Sequence, residues 1–143
     1  MTEAAEILTS GNYSLVVVSS SGKVLTFTGR GVSDLYKLYK NSQEFLYSGS
    51  IADKVIGYGA AVLMVAAGVD KVYTPVISRD AAQLFQDTGI QFEAGEITEY
   101  IVNRSGTGRC PLEERLMQMK ERSIADKIEE IERFVTNLWL NKG

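Results

Sequence analysis

The stretch Ser50-Ile51-Ala52-Asp53-Lys54-Val55-Ile56-Gly57-Tyr58-Gly59-Ala60-Ala61-Val62-Leu63-Met64-Val65-Ala66-Ala67-Gly68 decides the fold. After Asp53 and Lys54 it carries no charge, and Gly57, Gly59, Ala60 and Ala61 offer a small face for close packing. A helix apolar on every side lies at the centre of a domain rather than on its surface. The expected element is therefore a central helix from Ile51 to Ala67, ended by Gly68. Asp53 follows Ser50 by three positions, the spacing of a capping box, although a capping aspartate can also serve a site. Lys54 places a cation in the first turn, against the helix dipole, and so asks for an acidic or phosphate partner unless it is simply solvated. The same string, Ser-Ile-Ala-Asp-Lys, recurs at Ser123 to Lys127, which supports reading both copies as helix starts.

Working outward, Asp70-Lys71 leads into a strand from Val72 to Ile77, where Pro75 breaks the hydrogen-bond ladder and argues for a bulge or a strand end. Ser78 or Arg79-Asp80 opens a helix through Phe85, and Gly89 closes it. Ile90 to Phe92 reads as a short fourth strand and Thr98 to Val102 as a fifth. Upstream, Thr2 to Leu8 is a short helix stopped by Gly11-Asn12. Leu15 to Ser19 and Lys23 to Thr28 are β-branched runs joined by Ser20-Ser21-Gly22, a hairpin signal. Ser33 can cap an amphipathic helix carrying Leu35, Leu38 and Tyr39, which ends at Asn41-Ser42-Gln43-Glu44. Gly29-Arg30-Gly31 stands between a strand and a helix like a dinucleotide loop, but Asp34 occupies the third glycine position, so that signal is weak. The tail from Pro111 to Leu140 is charged helix broken near Ser123. Its stripe of Ile124, Ile128, Ile131, Val135 and Leu138 suits packing within the chain or on a partner. The order α-β-β-α-α-β-α-β gives an α/β sandwich with a mixed sheet.

Composition narrows the chemistry. The 143 residues are 45% hydrophobic, enough for one compact domain over residues 1–143. A formal net charge of −3 gives no electrostatic reason to expect nucleic acid or an anionic membrane. No basic segment followed by an apolar run opens the chain, and the longest apolar run, Ala60 to Ala67, is far shorter than a membrane span, so the cytoplasm is the expected compartment. Histidine is absent altogether, which removes imidazole as base or metal ligand and with it the usual serine and cysteine triads. One cysteine cannot form an internal disulfide.

That cysteine lies in Asn103-Arg104-Ser105-Gly106-Thr107-Gly108-Arg109-Cys110-Pro111-Leu112-Glu113-Glu114, where a glycine-bearing loop runs into a helix. Backbone N–H groups and the positive end of a helix dipole would face Cys110 and favour its thiolate, aided by Arg104 or Arg109. Cys110 is then a nucleophile or a redox thiol. Alternatively it is a small N-cap, with Pro111 at N1 and Glu113 at N3 completing a Cys-x-x-Glu variant of the capping box. Asn103, Arg104 and Thr107 could bind phosphate or ribose, or belong to an ordinary connector.

The hairpin, the helix opened by Ala52-Asp53, the following strand and the helix opened by Ser78-Arg79-Asp80 resemble the cytidine deaminase-like fold. The segments Ser50 to Gly57, Val76-Ile77-Ser78 and Asn103 to Glu113 are similar to a small uncharacterised prokaryotic family assigned to that fold, over about Tyr13 to Glu113. The resemblance implies a three-layer sandwich, followed by a C-terminal helical extension over residues 111–140. In zinc deaminases three His/Cys ligands hold the metal and a glutamate shuttles protons. Here Ile51 stands for the first ligand, Asp53 stands near the glutamate, and Ser78 to Ala81 supply no thiolate. The resemblance therefore implies a pocket without zinc, cofactor or metal, open to a nucleotide- or nucleoside-like small molecule. Cys110, Asp53 and Lys54 are its candidates for chemistry. Ser78, Asn103, Arg104, Thr107 and Glu113 are its candidates for ligand contact. The alternative is a non-catalytic ligand-binding, regulatory or interaction module in which Cys110 is structural. A homodimer is open under either reading. With no histidine and a single cysteine set against a three-ligand requirement, purified protein is expected to contain no stoichiometric zinc; metal analysis finding one tightly bound zinc per chain contradicts this.

Overall fold

The computed structural model describes residues 2–29, 32–101 and 110–141, with the side chains of residues 138–141 left aside. Six strands form one mixed sheet: β1 (Leu15–Val18), β2 (Val24–Phe27), β3 (Ser50–Asp53), β4 (Val55–Ile56), β5 (Lys71–Ser78) and β6 (Gln91–Thr98). The hairpin of β1 and β2 is antiparallel, β1 also pairs antiparallel with β3, and β3, β4 and β6 all run parallel to β5. Among the described residues there are seven helices: α1 (Glu3–Ser10), α2 (Ser33–Asn41), α3 (Gln43–Leu46), α4 (Tyr58–Ala67), α5 (Arg79–Thr88), α6 (Pro111–Gln118) and α7 (Ile124–Asn141). None of them is long and apolar enough to cross a membrane.

The central segment departs from the expected single helix. Ser50–Asp53 and Val55–Ile56 are two short strands separated by Lys54, and the helix begins only at Tyr58. Ile51 and Ala52 are both buried yet face opposite sides of the sheet: Ile51 joins the main core, and Ala52 packs under Ala4 and Leu8 of α1. A strand covered on both faces is as continuously apolar as a buried helix, so hydrophobicity alone does not separate the two. The Ser50/Asp53 capping box therefore does not form. Lys54 is not in a helical first turn, so the dipole conflict that asked for an anionic partner vanishes. Its side chain is exposed, and its backbone N–H donates to Ser14 O at 3.0 Å.

The break between β3 and β4 coincides with Pro75. Both pair with β5 in the same register, and the gap at Asp53-Lys54 falls opposite Thr74-Pro75. Thr74 bridges the break: its hydroxyl donates to Val76 O at 2.8 Å and accepts from Val76 N at 3.2 Å. On the other side Gly95 faces Pro75, and a Cβ at Gly95 would sit 2.8 Å from Pro75 O. This close approach also corrects the expected fourth and fifth strands. At Gly95 one strand, β6, runs straight past the proline where two short strands were expected, and Glu99 and Tyr100 lie beyond the strand's end.

The remaining boundaries follow local signals closely. Ser78 caps α5 by accepting from Ala81 N at 3.2 Å, and Gly89 closes that helix in the left-handed conformation. Gly68, at φ 76°, does the same for α4. The tail divides as the sequence suggests, with Ser123 Oγ accepting from Asp126 N at 3.1 Å at the start of α7. Ser33, by contrast, is the first residue of α2 and makes no capping bond. Helix α4 is buried by its neighbours on every side: α2, α3, α5, α6 and α7 all touch it, and Ile131 and Val135 of the tail stripe are fully buried in the same core. The side chain of Leu138 and the second and third residues of the Gly29-Arg30-Gly31 motif lie outside the described residues.

Candidate functional site

The first N–H groups of any helix have no partner within it. At α4 the N-cap is Gly57, which has no side chain to offer, and no acidic residue occupies the first turn. The missing acceptor arrives from α6. Glu113 Oε1 accepts from Tyr58 N at 2.5 Å and Oε2 accepts from Gly59 N at 2.9 Å. Both glycines leave room for this fit. A Cβ at Gly57 would lie 2.6 Å from Oε1, and one at Gly59 would lie 3.1 Å from Leu112 Cδ2. Glu113 is only 9% exposed, and burial holds its carboxyl above the usual range, opposed by the amides of Gly59 and Tyr58 and assisted by the negative charge of Asp80.

Polar contacts continue from Tyr58 to α7. The buried Lys127 of α7 donates from Nζ to Tyr58 Oη at 2.8 Å and to Lys120 O at 3.1 Å, and lies 5.1 Å from the centre of the Tyr58 ring. Asp80, in the first turn of α5, pairs with Lys120 Nζ at 2.6 Å. On the far side of α6, the buried Glu130 carboxylate is held by Arg115 at 2.5 Å and Arg133 at 2.8 Å. The N-termini of α4 and α5 are thus each occupied by oxygen atoms of this chain: the Glu113 carboxylate at α4, and the Ser78 hydroxyl at α5.

Cys110 does mark the start of α6, with Pro111 behind it. The capping box expected there does not form, because its two halves are engaged elsewhere. The Cys110 N–H donates to Ile101 O at 2.9 Å, and the Glu113 carboxylate has gone to α4. The Cys110 carbonyl accepts from Glu114 N at 3.1 Å, while the thiol makes no capping bond and the half-buried side chain packs against the main core. Asp53 lies at the end of β3 beside the gap, half-buried, with Val55 N 3.5 Å from its Oδ1. Burial pushes its carboxyl up to about 7, against the pull of the Val55 and Lys54 amides.

Of the residues singled out in the sequence, the structure brings Ser78 and Glu113 to the neighbouring starts of α5 and α4. Among the described residues no hydrogen bond or ion pair joins Asp53 or Lys54 to Ser78, Cys110 or Glu113. Ile51 and Asp53, which the resemblance set against deaminase ligands, are strand residues; the helix start they were to occupy is Gly57-Tyr58-Gly59. Asn103, Arg104 and Thr107 lie outside the described residues. Sequence reasoning missed Tyr58, Asp80 and Lys127. The signals were present: a helix opening on Gly-Tyr-Gly with no cap of its own, and a lysine set within an isoleucine stripe. A shallow depression of about 340 Å³ lies along α7, lined by Glu129, Glu132, Arg133, Thr136 and Asn137. It includes none of the candidate residues, and five side chains from a single helix do not converge on a ligand as a binding site's do.

The model of a family described as TM1506, domain of unknown function (DUF1893), matches residues 3–135. The chain belongs to the DUF1893 family. This is a family of unknown function, and the match runs well past Glu113 to include α6 and most of α7. The crystal structure of a DUF1893 family protein (TM1506) from Thermotoga maritima, at 2.70 Å resolution, is similar with a TM-score of 0.75 and 25% sequence identity, covering 92% of this chain and 84% of that one. No curated protein matches this chain.

Two outcomes are expected of these carboxylates. Glu113→Ala leaves two buried amide donors without an acceptor and should cost about 2–5 kcal/mol, whereas Glu113→Gln keeps an acceptor and should cost less. Urea denaturation of both variants checks the order, and equal stability of Ala and wild type contradicts it. Asp53 has the opposite character. Its carboxyl is raised from 3.8 to about 7 on folding, so between those values the folded chain holds more protons than the unfolded one, and stability falls as pH rises. Asp53→Asn should therefore gain stability over wild type above pH 7 and lose that advantage below about pH 4, near the reference value for aspartate. A difference that does not change with pH contradicts this.

Proposed function

We propose that the chain is a non-catalytic ligand-binding or regulatory module of deaminase-like architecture, with a nucleotide-like small molecule as its ligand and Cys110 in a structural role. The observation that carries the reading is the Glu113 carboxylate seated across the first turn of α4. In zinc deaminases the corresponding helix start supplies a metal ligand and the proton-shuttling glutamate. Here it supplies Gly57, Tyr58 and Gly59, and the carboxylate that reaches it is bound by two amides of its own chain. A carboxylate so committed serves as a cap rather than as a proton shuttle. The architecture part of the reading is supported by α4 and α5 opening next to each other beyond the carboxyl ends of β4 and β5, the edge at which α/β sheets take ligands.

The ligand part is tested by thermal unfolding against a panel of nucleosides and nucleoside mono-, di- and triphosphates. At least one should raise the melting temperature in a saturable way; a flat response across the panel overturns this part of the proposal.

A second reading, cysteine-dependent chemistry, draws on one observation: the Cys110 thiol stands at a helix N-terminus and is not consumed by a capping bond. Alkylation at pH 7 separates the two. The structural role predicts a rate no faster than that of an unstructured cysteine peptide. A clearly faster rate, together with loss of a turnover activity in Cys110→Ser, moves the conclusion to the second reading.

A further inference from the structure

We draw no further inference here: the strongest candidate, the buried polar cluster of Glu113, Tyr58 and Lys127 where the start of α4 meets α6 and α7, belongs to the site already described, and its bonds run within the chain.

Discussion

Glu113 closes a helix that cannot close itself. Helix α4 is uncharged and buried, and it begins at a glycine, so its first amides need an acceptor from elsewhere. Each hydrogen bond to a charged group contributes about 1.5–3 kcal/mol, while burying a carboxylate costs several kcal/mol. The raised pKa of Glu113 says that burial, with the charge of Asp80, outweighs the two amides in setting the ionisation of that group. The contact is therefore a constraint more than a source of net stability, because removing either partner leaves the other buried and unsatisfied. Its consequences spread outward. Gly57 gives the carboxylate its space, Leu112 and Leu116 pack close to Gly59, and α7 is tied in through Lys127 to Tyr58 and through Glu130 to Arg115. The C-terminal helices are in this sense part of the core, in keeping with a family match that extends into α7.

The pentapeptide Ser-Ile-Ala-Asp-Lys occurs twice and folds two ways. At Ser50 to Lys54 it is the central strand and the residue after it; at Ser123 to Lys127 it caps and opens α7. Local propensity is identical in both places, so context alone separates them. The second copy is followed by isoleucines at helical spacing on a charged background, and the helix is legible there. The first copy is followed by Val55 and Ile56 and then by an apolar run, a pattern that a buried strand and a buried helix share. The deciding facts, pairing of β3 with β1 and the proline gap in β5, involve residues far away in sequence. The hairpin, the caps at Ser78 and Gly89 and the start of α6 were legible because each rests on a short-range signal.

The candidate site was legible to the same degree and for the same reason. Ser78 and the helix start at Cys110-Pro111 could be read from neighbouring residues. The partner of Glu113 could not, because the Cys-x-x-Glu spacing points to a local capping box and gives no hint of a bare helix end 54 to 55 residues away. Asp53 reads in the sequence as a helix-start residue and is instead a strand residue whose carboxyl is raised by burial. It keeps an unusual environment for a reason the sequence did not suggest.

Hydrogen exchange at the amides of Tyr58 and Gly59 tests the central claim most directly. The first amides of a helix are ordinarily open to solvent, so protection there needs an acceptor from outside the helix. Protection of both amides comparable to that in the middle of α4, lost in Glu113→Ala, is the predicted result. Exchange in the wild-type chain as fast as in an unstructured peptide would contradict the account.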